Sequence, residues 1–197
     1  MNVWAIIPAK ASLESKSRLA GALGPEERRS LVRAMVGHVV KAASDAANIS
    51  HVCLLGPSRQ GLSDDLPLLR DPGGGLNAAV QSAFAEAARQ GAERVVFVAA
   101  DLPQVTATEL ELMAAAPAGE IAIAPDRHET GTNALSLPLP DAENFRFAFG
   151  PDSFALHRAE AQRLGLAMET IHGHGLARDI DEPDDLPDAA ELLKRSG

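Results

Sequence analysis

Asp101 closes an apolar, β-branched run, Val95-Val96-Phe97-Val98-Ala99-Ala100, and Asp179 and Asp181 stand two apart towards the other end of the chain. On an extended segment Asp179 and Asp181 project to one side. Three carboxylates brought together repel one another unless a cation lies among them, and carboxylate oxygens suit Mg²⁺. A second group is cationic: Lys10, Lys16 and Arg18 follow the first apolar run, Val3-Trp4-Ala5-Ile6-Ile7-Pro8. A basic loop after the C-terminal end of a strand is well placed to hold phosphates. A third group is Gly73-Gly74-Gly75, just before Leu76 and Asn77. Successive glycines permit positive φ and close backbone approach, and a helix start behind them suits an anion or a nucleotide edge. A metal, cations and a glycine loop together are the equipment for displacement at phosphorus. Each group also has a plainer reading: Asp101 as the cap of a turn, the basic stretch as a solvated loop, the glycines as a tight turn. The chain has no Walker A, HExxH, CxxC or Ser-His-Asp order, so hydrolytic triads and zinc sites have no support.

The elements that must position these groups follow from periodicity. Val3 to Pro8, His51 to Leu55, Leu68-Leu69, the run ending at Asp101, Glu120 to Ala124, Ala134 to Leu137 and Ala167 to Ile171 read as strands. A short further strand is expected at Arg178 to Asp181. Helices are expected from Pro25, with Leu31, Ala34, Met35, His38 and Val39 as a buried stripe, and from Leu76 to Arg89. Others run from a Thr106 or Thr108 cap to Met113, from 153 to 164, and from Glu182 to about Lys194. His38 reads as a satisfied core or boundary histidine. Strands alternate with helices, so the expected architecture is α/β with a mostly parallel sheet. A run such as Val95 to Ala100 then lies in a strand buried on both faces, and Asp101 lies at the edge where open α/β sheets bind ligands.

Composition narrows the partners. The chain has 197 residues, 46% apolar and 23% charged, which suits one domain with a substantial core. Aromatics make up 4% and Tyr is absent, so stacking platforms for single-stranded nucleic acid are scarce. A net charge of −9 argues against non-specific binding to nucleic acid or anionic membrane. Seven acids within the thirteen residues 179 to 191 supply most of that charge. The lone Cys53 sits in an apolar run and reads as a buried structural thiol. No apolar run is long enough for a membrane span, and no secretory signal is visible, so a cytoplasmic protein is the simplest expectation.

Six short segments, taken in order, carry a resemblance. They are Ile7-Pro8-Ala9-Lys10 with Lys16-Ser17-Arg18-Leu19, Gly74-Gly75-Leu76-Asn77, Ala100-Asp101-Leu102-Pro103, Gly131-Thr132-Asn133, Phe149-Gly150-Pro151-Asp152-Ser153 and Asp179-Ile180-Asp181. With them, over nearly its whole length, the chain resembles the 2-phospho-L-lactate guanylyltransferase family of deazaflavin-coenzyme (factor 420) biosynthesis. The resemblance implies one Rossmann-like nucleotidyltransferase domain over 1–197, of the glycosyltransferase-A type, with a single sheet. It implies transfer of GMP from GTP to a phosphorylated three-carbon acid with release of diphosphate. It implies Mg²⁺ held by Asp101, Asp179 and Asp181, with Asp101, Lys10, Lys16 and Arg18 in the chemistry. The nucleotide would be bound by Pro8, Lys10, Lys16, Arg18, Gly74, Gly75, Leu76, Asn77 and Asp101, with the Asn77 amide reading the guanine edge. The acceptor would meet Thr132, Asn133, Gly150 and Ser153, the last through its hydroxyl and backbone N–H. His128-Glu129 stands where small residues are expected, which leaves the acceptor open among 2-phospholactate, phosphoenolpyruvate and 3-phosphoglycerate. A molybdopterin- or sugar-type nucleotidyltransferase and a nucleotide-binding regulatory module without turnover are the alternatives. The expected partners are small molecules, with no nucleic acid or membrane, and the chain is expected as a monomer or homodimer.

Overall fold

A computed structural model describes residues 1–9, 16–190 and 192. Its strands are β1 (Val3–Pro8), β2 (His51–Leu55), β3 (Leu68–Leu69), β4 (Arg94–Val98), β5 (Ile121–Pro125), β6 (Thr132–Pro138) and β7 (Met168–Thr170). The α-helices are α1 (Pro25–Asp45), α2 (Leu76–Arg89), α3 (Ala107–Ala114) and α4 (Ser153–Leu164). One sheet runs in the order β3-β2-β1-β4-β6-β5-β7. β1 pairs in parallel with β2 and β4, and β2–β3 and β5–β7 are also parallel. β6 runs against both β4 and β5.

Burial on both faces explains the apolar strands. Along β1, Val3, Ala5 and Ile7 face a core shared with α1 and α3, where Leu31, Met35, Val39 and Leu110 are buried. Trp4 and Ile6 face the opposite core with Val80, Phe84 and Phe154 of α2 and α4. The alternation is the two-residue period of a strand serving two layers. Burying each such large side chain contributes about 1.5–3 kcal/mol relative to leaving it exposed. His38 is half-buried with Nε2 2.8 Å from the Val105 carbonyl, the satisfied boundary histidine its spacing predicts. Thr106 caps α3 and accepts from the Glu109 N–H.

The chain leaves β1 to build β2 and β3 on one side, then crosses to β4 on the other. A crevice opens at such a switch point beyond the strands' carboxyl ends. Lys16 and Asp101 meet there.

Two expected elements differ. Residues 178 to 181 form no strand; the Ile180 N–H donates to the Asp101 carbonyl at 3.2 Å. The expected last helix begins instead as a 3₁₀ turn over Pro183–Ala189. Pro187 inside it lacks an N–H and hinders the carbonyl one turn back, which disfavours α geometry. Among the described residues no helix is long and apolar enough to cross a membrane.

Candidate active site

A cavity of about 780 Å³ fills the crevice. One side is acidic. Asp101, Asp179 and Asp181 all line it, as do Thr132 and Ser153. The fully buried Ile180 anchors the two outer aspartates, so its neighbours project together into the cavity. Asp185, nearly inaccessible, accepts the N–H groups of Asp181 and Glu182 at 2.8 Å each and pairs with Arg127. Burial opposes its ionisation, but Glu182, Arg127 and Asp181 outweigh that and hold its carboxyl below the usual range. Asp185 is thus a buried anchor for the backbone that carries Asp181.

Burial pushes the Asp179 carboxyl up, and the charges of Asp101 and Asp181 push it further. The Lys16 ammonium lies between Asp101 and Asp181, 2.9 Å from Asp181 Oδ1 and hydrogen-bonded to Asp101 Oδ2. Burial opposes its charge, but the two carboxylates outweigh that and raise its pKa. Lys16 adopts φ 60°, in the left-handed region that a non-glycine residue seldom occupies. Three mutually repelling carboxylates already attracting an ammonium are a donor set that fits a hard cation. As they stand, no group of three or more acidic, histidine or cysteine side chains among the described residues is arranged to hold a metal ion.

The Thr132 and Ser153 region of the cavity is built from turns and carries the carboxylates of Asp126 and Asp152. Asp126 ends the β5 strand region and ties the turn into β6. Its Oδ1 accepts from His128 and Thr130 N–H at 3.1 and 2.9 Å, and its Oδ2 from the Thr130 hydroxyl at 3.1 Å. A Cβ at Gly131 would stand 2.9 Å from Asp126 Oδ2, so this turn needs glycine there. Thr132 follows, its Oγ1 3.0 Å from Nδ1 of His157 on α4. His157 is fully buried; its Nε2 accepts the Ala148 N–H at 3.0 Å, and burial pushes its pKa down to about 4. The third side is apolar, with Leu76, Phe97 and Phe149, above a floor of Val32, Met35 and Val36.

The family model for "Guanylyl transferase CofC like" matches residues 3–193. The chain belongs to that family. A phosphoenolpyruvate guanylyltransferase from Sphaerobacter thermophilus is 42% identical over 96% of this chain and 93% of its own length. A 2-phospho-L-lactate guanylyltransferase from Halorubrum lacusprofundi is 39% identical over 90% of this chain and 78% of its own. Among solved structures, a putative nucleotide-diphospho-sugar transferase from Desulfovibrio desulfuricans superposes with a TM-score of 0.73 at 18% identity, covering 99% of this chain and 95% of its own. A nucleotidyl transferase from Methanothermobacter gives 0.69 at 15% identity over 98% and 99%. Those two establish the Rossmann-like nucleotidyltransferase fold expected from the sequence.

In this CofC-like guanylyl transferase Pro8, Lys16, Arg18, Leu76, Asp101, Thr132, Asn133, Gly150, Ser153, Asp179 and Asp181 all line the one cavity. Lys10 lies outside the described residues. Gly74 and Gly75 adopt φ near 90° but stand apart from the cavity lining. Asn77 binds backbone across the fold. Its Nδ2 donates to the Phe149 carbonyl at 3.0 Å and its Oδ1 accepts the Phe149 N–H at 2.7 Å. The amide thus ties Phe149 to α2, and each of its ends keeps one further hydrogen-bonding position. Ser153 differs in detail. Asp152 holds the N-cap position, and the Ser153 N–H donates to the Gly150 carbonyl at 3.2 Å, leaving the hydroxyl as its polar group for a ligand. Asn133 donates to the Leu176 carbonyl at 2.9 Å and to Asp179 at 3.4 Å, which makes it a support of the acidic side. Asp126, Asp185 and His157 are absent from the sequence expectations. Asp185 pairs with Arg127 58 residues away and His157 with Thr132 25 away, which no local spacing marks, whereas Asp126 binds within its own turn.

Proposed function

We propose that this chain, as one nucleotidyltransferase domain over 1–197, transfers GMP from GTP to a phosphorylated three-carbon acid and releases diphosphate. The observation that carries the reading is one cavity lined by Asp101, Asp179, Asp181 and Lys16 together with the hydroxyl residues Thr132 and Ser153. The family and the names of the relatives support guanylyl transfer. Phosphoenolpyruvate and 2-phospho-L-lactate are the acceptors to test first, since the 42% and 39% identical relatives are named for them. 3-Phosphoglycerate is the third.

Asp101, Asp179 and Asp181 would hold Mg²⁺. That ion, when bound, supplies positive charge to the reacting phosphates. The remaining work belongs to the chain. Lys16 and Arg18 lie beside the carboxylates and neutralise the triphosphate as Lys16 exchanges its aspartate partners for phosphate oxygens. Thr132 and Ser153 hold the acceptor phosphate, and Leu76, Phe97 and Phe149 cover the nucleoside side. A phosphate oxygen of the acid attacks the α-phosphorus in line, the bond to the bridging oxygen of the β-phosphate breaks, and its electron pair leaves with diphosphate. A phosphate dianion is already nucleophilic, so no general base is needed; positioning and charge neutralisation supply the catalysis. We propose that the enzyme acts in the cytoplasm as a monomer or homodimer.

Diphosphate release with GTP, ATP, CTP and UTP against the three acids, with Mg²⁺, tests the reading. The expected result is release that requires both GTP and one acid. Release with no acid, or equal release with every nucleotide, would overturn it.

A further inference from the structure

We infer that His157 is a positioning residue that locks the Thr132 hydroxyl into donating its proton into the cavity, towards the phosphate of the acceptor. The inference rests on the function proposed above for what lies in the cavity; the hydrogen-bond argument itself does not.

A backbone N–H can only donate. The Ala148 N–H points at His157 Nε2 at 3.0 Å, so Nε2 must present its lone pair. A neutral imidazole with a bare Nε2 carries its proton on Nδ1. That nitrogen lies 3.0 Å from Thr132 Oγ1, so Nδ1–H donates and the hydroxyl accepts. The hydroxyl's own proton is thereby excluded from the imidazole. Thr132 lines the cavity, so an anion there receives it. The other tautomer, or an imidazolium, would set two N–H groups against each other at Ala148.

The surroundings keep the ring neutral. It is fully buried, with the rings of Phe145 and Phe149 at 5.7 and 4.8 Å between centroids. Glu160 on the same helix is the charged group that acts on it, and Arg163 pairs with Glu160 at 2.6 Å. From β6 and the 145–149 loop the ring meets Thr132, Ala148 and the two phenylalanines. Without the imidazole, Thr132 could rotate its proton away and turn a lone pair to the incoming phosphate, which repels it. The same ring fastens the loop before Gly150 to the strand that bears Thr132, so the two ligands expected to hold the acceptor, Thr132 and Ser153, keep their spacing.

Two measurements test this. The first uses ¹⁵N-histidine-labelled wild-type protein at neutral pH. Long-range ¹⁵N–¹H correlation should show His157 protonated at Nδ1 and bare at Nε2; the Nε2–H tautomer or an imidazolium overturns the inference. The second uses kinetics with GTP and the best acceptor acid. His157→Leu should raise the acceptor KM on the order of tenfold, the scale of one misdirected hydrogen bond to a charged group, and leave the GTP KM alone. His157→Asn, whose Nδ2 takes the place of Nδ1 as donor, should recover most of that loss. On a Thr132→Val background, His157→Leu should raise the acceptor KM no further. An unchanged acceptor KM in His157→Leu, or equal rises in both KM values, overturns the positioning role. A wild-type protein that transfers GMP to none of the acids overturns the function proposed above, whatever the tautomer.

Discussion

The two sides of the cavity solve the problem of binding phosphate by opposite means. The acidic side gathers Asp101, Asp179 and Asp181; burial and then the charges of the other two push the Asp179 carboxyl up, and the Lys16 ammonium lies between Asp101 and Asp181. Its groups are unfavourable neighbours until cations arrive. Around Thr132 and His157 the dipoles are fixed beforehand by hydrogen bonds, from Ala148 to the imidazole and from Thr130 to the Asp126 carboxylate of the preceding turn. A side built on charge responds strongly to loss of one carboxylate. A side built on fixed dipoles loses affinity one hydrogen bond at a time. The division matches a reaction in which a polyanion must be neutralised and a smaller anion must be aimed.

The largest effect is therefore expected at Asp101. Asp101→Asn should lower turnover by roughly 10²–10³-fold, the loss seen when one preorganised electrostatic group is removed. Its melting temperature should stay near that of the wild type, because Asp101 follows β4 and lies outside the strand core. Steady-state kinetics at saturating Mg²⁺ beside a thermal melt checks both. Wild-type turnover in this variant would mean the carboxylates are not where charge is handled.

A smaller, selective effect is expected in the Thr132 and Ser153 region. Thr132→Val and Ser153→Ala should each raise the acceptor KM by roughly ten- to a hundredfold, with the GTP KM nearly unchanged. A pure helix cap would instead cost about 1 kcal/mol of stability and leave KM alone. Ser153 is the first helical residue rather than the cap, which favours the kinetic outcome. Equal rises in both KM values would erase the contrast between the two sides.

Stability against pH separates them further. The ordinary histidine value is 6.5, and burial holds His157 at about 4. On acidification the unfolded chain takes up this proton first. The contribution is fully present above about pH 6.5 and is lost as pH falls towards 4, amounting to about 3 kcal/mol. His157→Asn should flatten the melting temperature over that window relative to the wild type. A variant that follows the wild-type curve would place the acid sensitivity elsewhere.

Much of this arrangement was legible beforehand. β1, β2, β4 and the four helices announce themselves because double-sided burial and helical stripes leave a local pattern. Asp101, Asp179, Asp181, Thr132 and Ser153 were legible as types at the ends of such elements. Asp179-Ile180-Asp181 imitates a strand, since polar–apolar alternation looks the same whether or not a partner strand exists; here the segment is held by Asp101 and Asp185 instead. That Asn77 also holds Phe149 was not legible, because the backbone it binds is 72 residues on. His157 looked like one more polar residue in a helix. Its meaning depends on an N–H from one loop and a hydroxyl from one strand, and no spacing along the chain reveals that pair.

The smallest expected effect lies far from either side. Burial pushes the Cys53 thiol up to about 12, so it should resist thiol reagents in the native protein and react only on unfolding. Rapid native labelling would contradict the packing of β2.

The central claim is that the charged side and the dipolar side bring two different phosphates together. ³¹P NMR of the wild-type enzyme with Mg²⁺, GTP and phosphoenolpyruvate or 2-phospho-L-lactate tests it most directly. The account predicts diphosphate and a new guanylylated acid with a P–O–P linkage, formed in equal amounts while both substrates disappear. Formation of GMP and diphosphate with the acid untouched, or no reaction with any of the three acids, would contradict it.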